Sequence, residues 1–276
     1  MLIDNVYFNR INVVNHTNWW EWDFYSKVCE IVSQDFLVRK YKFRIYLTDP
    51  FNLNPEPNDI VVFTSNEHYE IPNFIDVPFL TFKQYSNTVI EDKLYGLPLG
   101  LNYPIIHTPN LPISKRQIDI CFLGQYENRS NRINTINFIK EKFKNFNILI
   151  SSNEKSVIEY YLALSNSKIT LSLDGGLVPE AYRFFESLRY GCITLANNTL
   201  LNLDIYKNAP FIPVDWHDFK NLENILSNTL DNAISGKLDD ISYINKTYWT
   251  QNYSEEAQAN FIIDKIHKKI YNQFKI

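Results

Sequence analysis

The apolar positions of this chain follow two rhythms. Short runs of β-branched and aromatic residues predict buried strands, and longer stretches with an apolar residue every third or fourth position predict amphipathic helices. In the first hundred residues, Lys42 to Thr48 reads as a strand closed by Asp49-Pro50. Asp59-Ile60-Val61-Val62-Phe63-Thr64 is a stronger one, apolar on both faces as a buried parallel strand requires, and Phe79 to Phe82 is a third. Trp22 to Val38 predicts a helix carrying Phe24, Val28, Ile31 and Val32 on one face. Pro104, Pro109 and Pro112 interrupt any regular element and mark a linker.

Beyond the prolines the alternation is regular. Strands are expected at Gln117 to Leu123, Phe146 to Ile150, Lys168 to Leu173, Cys192 to Leu195 and Ala209 to Val214. Helices are expected at Asn131 to Phe143, at Glu154 to Leu164 with the stripe Val157, Tyr160, Tyr161, Leu164, and at Glu180 to Tyr190, closed by Gly191. Strand and helix in turn predict a doubly wound parallel α/β sheet. A last helix opens at Ser254 as N-cap, with Glu255 and Glu256 in its first turn and an apolar stripe of Ile263, Ile266, Ile270 and Phe274.

Composition narrows the class. With 45% hydrophobic and 21% charged residues, 276 positions suffice for two ordinary domains. A net charge of -4 without basic runs argues against nucleic acid as a partner. Cys29, Cys121 and Cys192 are odd in number and sit largely in apolar segments, the pattern of reduced thiols in a cytoplasmic protein. His16, His68, His107, His217 and His267 are scattered without metal-ligand spacing. The first residues carry no signal-peptide pattern, and no apolar run is long enough to span a bilayer.

The richest segment runs from Pro179 to Leu195. Arg183 and Glu186, three apart, share one helix face, while Phe184 and Leu188 form the opposite, apolar stripe. The helix starts after a strand end and the pair Gly175-Gly176, so its free N–H groups suit a phosphate. Arg183 adds a bidentate cation for a diphosphate, and Glu186 an acceptor for the two hydroxyls of a ribose. The plainer alternative is a surface ion pair worth a few tenths of a kcal/mol.

Arg183-Phe184-Phe185-Glu186-Ser187-Leu188-Arg189-Tyr190-Gly191-Cys192-Ile193 resembles the donor-binding signature of exostosin-like glycosyltransferases. Phe122-Leu123-Gly124 with Arg129 and Arg132 downstream resembles that family's Gly-turn, and Trp249 with Tyr253-Ser254 and a helix resembles its C-terminal end. Similar Arg and Glu placements occur in bacterial α-1,3-fucosyltransferases. The resemblance spans roughly residues 117 to 275 and is most specific from 183 to 193.

That resemblance implies a metal-independent, GT-B-like glycosyltransferase of two Rossmann-like domains. Residues 1–108 would form the acceptor side, residues 109–253 the nucleotide-sugar domain, and residues 254–276 a helix packing back on the first. The partners implied are a nucleotide-sugar donor and a glycan or glycoconjugate acceptor, as in surface polysaccharide synthesis, with no cofactor. The Asp-x-Asp of the metal-dependent transferase fold is missing, and neither Asp239-Asp240 nor Asp215-x-x-Asp218 replaces it. Arg183 with Arg129 or Arg132 would then neutralise the leaving diphosphate.

An inverting enzyme also needs a base from the first domain, for which Glu67 and His68 after the 59–64 strand are placed. Glu21 and Asp23, among Trp19, Trp20 and Trp22, are rivals; a retaining enzyme needs none of them. Two other classes stay open: an inactive sugar-nucleotide or glycan-binding module, and a flavodoxin-type scaffold. For the last helix, the rival to burial is a peripheral contact with the inner face of a membrane.

Overall fold

The computed structural model describes residues 2–3, 6–10, 21–48, 54–64, 69–101, 106–127, 129–152 and 155–274; for 2–3, 6–10, 21–22, 48, 130–131 and 274 the backbone alone is described. The chain divides into two compact units, Met1–Pro104 with Asn252–Ile276, and Ile105–Gln251.

In the first unit, strands β1 (Leu2–Ile3) and β2 (Val6–Arg10) precede helices α1 (Glu21–Ser33) and α2 (Phe36–Lys40). Strands β3 (Arg44–Thr48), β4 (Asp59–Phe63), β5 (Leu80–Gln84) and β6 (Leu94–Leu97) follow. They form one sheet in chain order; β1 is antiparallel to β2, and every later pair is parallel. β4 and β5 are buried at every position, β5 even at Lys83, whose Nζ donates to the Gln84 and Tyr85 carbonyls (3.0 and 2.8 Å), and at Gln84, whose Nε2 donates to the Leu99 carbonyl (2.9 Å). The helix expected over residues 22–38 is two helices. Asp35 interrupts it by accepting from the Leu37 and Val38 amides (2.9 and 3.1 Å), a cap that starts α2 afresh.

The second unit begins with β7 (Ile118–Leu123), α3 (Ser130–Lys142), β8 (Ile148–Ser151), α4 (Val157–Ser165) and β9 (Ser167–Ser172). It continues with α5 (Tyr182–Arg189), β10 (Ile193–Asn197), β11 (Ile212–Val214), α6 (Phe219–Ile234) and α7 (Ile241–Asn252). Its five strands are parallel in the order β11-β10-β9-β7-β8. Alternation splits each strand between two layers. Ile120, Phe122, Ile169, Leu171, Ile193 and Leu195 join α3 and α6 in one core, whose helical side is Ile136, Ile139, Leu222, Leu226 and Leu230. The other face carries small residues, with Cys121, Thr170 and Thr194 in register, and α4 and α5 pack against these strands. β8 lies on one side of β7 and β9 on the other, so the direction of winding reverses between β7 and β9. Open α/β sheets bind their ligands at the carboxyl ends of the strands flanking such a reversal.

Helix α8 (Glu255–Phe274) belongs to the first unit and lies against α1. Its buried stripe is Ala259, Ile262, Ile266 and Ile270, so Ile262 rather than Ile263 begins the isoleucine row. Among the described residues, no helix is long and apolar enough to cross a membrane.

Candidate functional site

The carboxyl end of β7 is shaped by Gly124. Its φ of +148° disfavours any side chain, and a Cβ there would stand 2.5 Å from Arg183 Nη1. The guanidinium of Arg183 therefore lies directly over the turn, 4.7 Å from the Phe122 ring, with Nη1 donating to the Leu123 carbonyl at 3.4 Å. Among the described residues, Arg183 Nε has no hydrogen-bond partner. Burial depresses the Arg183 pKa; Tyr160 and Glu186 push it back up, and Arg129 lowers it again. Arg129 thus acts on Arg183 through its field from the N-cap of α3.

The first turn of α5 explains how Arg183 gets there. The loop after β9 carries Gly175, where any Cβ would collide with the carbonyls of Val178 and Glu180, and the exposed Gly176. α5 then starts after Ala181, whose methyl gives its first turn no side-chain cap. Phe184 and Leu188 are fully buried beneath the helix, leaving Arg183 to turn toward β7. Glu186, one turn on, is 1% exposed and accepts from the Tyr160 hydroxyl at 2.5 Å.

Arg132 reaches the same strand ends with a different use. At 4% exposure, it donates Nη1 to the Gln125 carbonyl (2.6 Å) and Nε (2.8 Å) and Nη2 to the Asp174 carbonyl. It ties the loop after β7 to the end of β9, across the reversal of winding. The Asp174 carboxylate accepts from Asn197 Nδ2, at 2.9 Å to Oδ1 and 3.0 Å to Oδ2. Burial raises the Asp174 pKa, while Asn197, Arg132 and His217 hold it down.

The second unit therefore brings Gly124, Arg183, Glu186 and Arg129 into one neighbourhood, with Arg132 and Gly175 framing the loops beside it. Asp23 stands exposed in the first turn of α1, in the other unit. Glu67 and His68 lie outside the described residues, as do Trp19 and Trp20. Among the described residues, no three His, Cys, Asp or Glu side chains are grouped to hold a metal ion.

Three neighbours, Tyr160 and the pair Asp174 and Asn197, are not singled out by the sequence. Tyr160 and Tyr161 both stand in the expected α4 stripe, yet only Tyr161 is fully buried, at 0% exposure, stacking on Tyr190 at 4.7 Å, while Tyr160 turns its hydroxyl to Glu186. The doubled tyrosine was the available signal, since adjacent helical residues point about 100° apart. Asp174 and Asn197 meet across two strand ends, and no local pattern announces the pair.

No family model and no curated protein matches the chain. Among solved structures it is similar to TarM, at 10% identity and a TM-score of 0.52, over 87% of this chain and 58% of that one. It thus spans less than two thirds of TarM's length. It also matches a glycosyltransferase from Rickettsia africae ESF-5 (15% identity, 96% of this chain and 84% of that one, TM-score 0.49). A third match is the GtfA/B complex (10% identity, 82% and 57%, TM-score 0.47). The likeness to TarM is one of fold: a mixed α/β chain built on parallel sheets.

Proposed function

We propose that the chain is a GT-B-type glycosyltransferase that moves a sugar from a nucleotide-sugar donor to a glycan or glycoconjugate acceptor without a metal ion. The observation that carries this reading is the guanidinium of Arg183 over Gly124, at the reversal point of a parallel sheet. A cation and a glycine turn at the carboxyl edge suit a diphosphate, which takes bidentate hydrogen bonds from arginine and further ones from helix-start amides. The likeness of residues 183–193 to the exostosin donor signature supports the same assignment.

In this reading Arg183 neutralises the leaving diphosphate, aided by the field of Arg129 and the uncapped start of α5. Gly124, Gly175 and Gly176 keep the surrounding loops free of side chains. Arg132 holds the loops in place, and Glu186 backs Arg183. Glu67, His68 or Asp23 would take the acceptor's proton if configuration is inverted.

A thermal-shift and calorimetric panel of sugar nucleotides tests the proposal. A ligand at a hundredfold excess over Kd stabilises the fold by about 2.7 kcal/mol. Arg183→Ala should abolish transfer and cut nucleotide affinity at least about tenfold while the protein still unfolds cooperatively; one lost charge-assisted hydrogen bond is about 1.5–3 kcal/mol. Normal turnover in that variant removes Arg183 from the site. EDTA should leave transfer unchanged, and loss restored by manganese would sink the metal-free mechanism. Binding without turnover would identify an inactive binding module.

A further inference from the structure

We propose that Asp174, set in place by Asn197, is the carboxylate that receives two adjacent hydroxyls of the sugar nucleotide. This rests on the proposed role of Arg183 as the diphosphate cation. The sequence puts a hydroxyl acceptor at Glu186, but that side chain is enclosed at 1% exposure, and its Oε2 already accepts from the Tyr160 hydroxyl. Asp174 stands at the same carboxyl edge, two residues beyond β9, and is only half-buried.

Its backbone and its side chain are both held. Arg132 donates Nε and Nη2 to the Asp174 carbonyl and Nη1 to the Gln125 carbonyl, so one guanidinium's width separates Asp174 from the turn at Gly124. Arg183 lies over that turn. Asn197, the last residue of β10, donates Nδ2 to both carboxylate oxygens of Asp174, at 2.9 and 3.0 Å. The amide cannot turn round, because its own oxygen accepts from the Thr199 backbone N–H (2.9 Å) and hydroxyl (2.8 Å). A carboxylate has about four lone-pair sites and Asn197 fills one on each oxygen, so acceptor capacity remains for incoming hydroxyls. Its two oxygens match a vicinal diol, and being fixed in advance it loses little freedom on binding. An acid at a strand end serves the ribose in the same way in dinucleotide-binding sheets. A sugar nucleotide carries such a diol on its ribose and on a transferred hexose such as glucose or mannose.

The test measures, by calorimetry, the affinities of the wild type, Asp174→Asn, Asn197→Ala and Glu186→Gln. The parent probe is whichever of UDP-glucose, UDP-galactose, UDP-N-acetylglucosamine and GDP-mannose the wild type binds best. With it go its nucleoside diphosphate and the 2′-deoxy form of that diphosphate. Two ratios are read within each protein, so that a uniform loss of affinity cancels: diphosphate over its 2′-deoxy form, and sugar nucleotide over diphosphate. Asp174→Asn should lower at least one ratio about tenfold, the value of one charge-assisted hydrogen bond, and Asn197→Ala should lower the same one. A fall in the first ratio supports the proposal with the ribose diol on Asp174, and a fall in the second supports it with the diol of the transferred sugar. Two unchanged ratios overturn it. So does a ratio that falls in Glu186→Gln but not in Asp174→Asn, which would return the hydroxyls to Glu186. If Asp174→Asn does not fold, Asn197→Ala decides by the same ratios. A wild type that binds none of the probes fails the transferase reading and takes the inference with it, whereas ordinary binding with unaltered ratios strikes the inference alone.

Discussion

Arg132 and Arg183 both reach the carboxyl edge of the second sheet, and their hydrogen bonds divide their tasks. Arg132 spends Nε, Nη1 and Nη2 on two backbone carbonyls, whereas Arg183 rests on a ring and a long hydrogen bond. Only the second has donors suited to an incoming anion. Asp174, clasped between Arg132 and Asn197, carries a measurable signature of the same site. Its pKa is raised, burial being the largest cause, so the folded state binds its proton more tightly than the unfolded state does. The stabilisation linked to that proton is fully present below the ordinary carboxylate range and is lost as pH rises through the folded value. Asp174→Asn cannot ionise and escapes the loss. Its melting temperature relative to wild type should therefore move in the variant's favour from about pH 4 to about pH 7. A relative melting temperature that is flat, or that moves the other way, refutes the buried-carboxyl argument. The sequence reading singled out Arg183 from its place near a helix start, and favoured it, with Gly124, through the likeness to the exostosin-like donor signature. It could not reach Tyr160 or Asp174, because their partners lie 26 and 23 positions away.

Helix α5 is held as firmly at its far end as it is open at its start. Gly191 follows it with φ +67°, and a Cβ there would meet Ser242 Oγ at 2.6 Å and the Ser242 carbonyl at 2.7 Å. The buried Arg116 donates to the Tyr190 carbonyl (3.2 Å), the Ser167 carbonyl (2.9 Å) and Ser242 Oγ (2.8 Å), joining α5 to β9 and α7. Gly191→Ala should accordingly cost at least about 1–2 kcal/mol from the left-handed backbone alone, before the collision with α7 is counted. Denaturant unfolding measures it. A loss under about 0.5 kcal/mol, the usual span for surface changes, would show that the turn relaxes freely. The closing glycine of α5 was legible because a helix end needing positive φ selects that residue. The strands of the second unit were legible too, as short runs rich in β-branched and apolar residues between turns. α6 and α7 went unread. α6 runs FKNLENILSNTLDNAI and buries Leu222, Leu226, Leu230 and Ala233, a stripe open to the same periodic reading. α7 buries only Ser242, Asn245 and Trp249, so its core face is mostly polar and no apolar period marks it.

At the scale of the whole molecule, the chain returns at residue 252 to complete the unit its first hundred residues began. The returning helix, α8, is bound there by more than its isoleucines. Phe261 packs edge-on against Phe82 and Tyr95, with ring centroids 6.3 and 6.2 Å away. His267 meets Asp35 at 2.9 Å, and Lys269 donates to the carbonyls of Phe79 and Asp92. Ala259, Ile262, Ile266 and Ile270 are each at 0% exposure. Full burial of an isoleucine is worth about 1.5–3 kcal/mol, an upper estimate because unfolded chains are not fully extended. Three of them approach the 5–15 kcal/mol that is the whole stability of an ordinary domain. Ending the chain after Ser254 should thus cost several kcal/mol and leave the first unit without a cooperative transition. Calorimetry on the shortened protein would show it. The membrane reading of this helix predicts the opposite: a shortened protein that melts as the full chain does and loses only its binding to anionic vesicles. With the isoleucine stripe already covered and Lys269 spent on two carbonyls, the apolar face needed to enter a bilayer is engaged within the first unit, so loss of folding is the expected result.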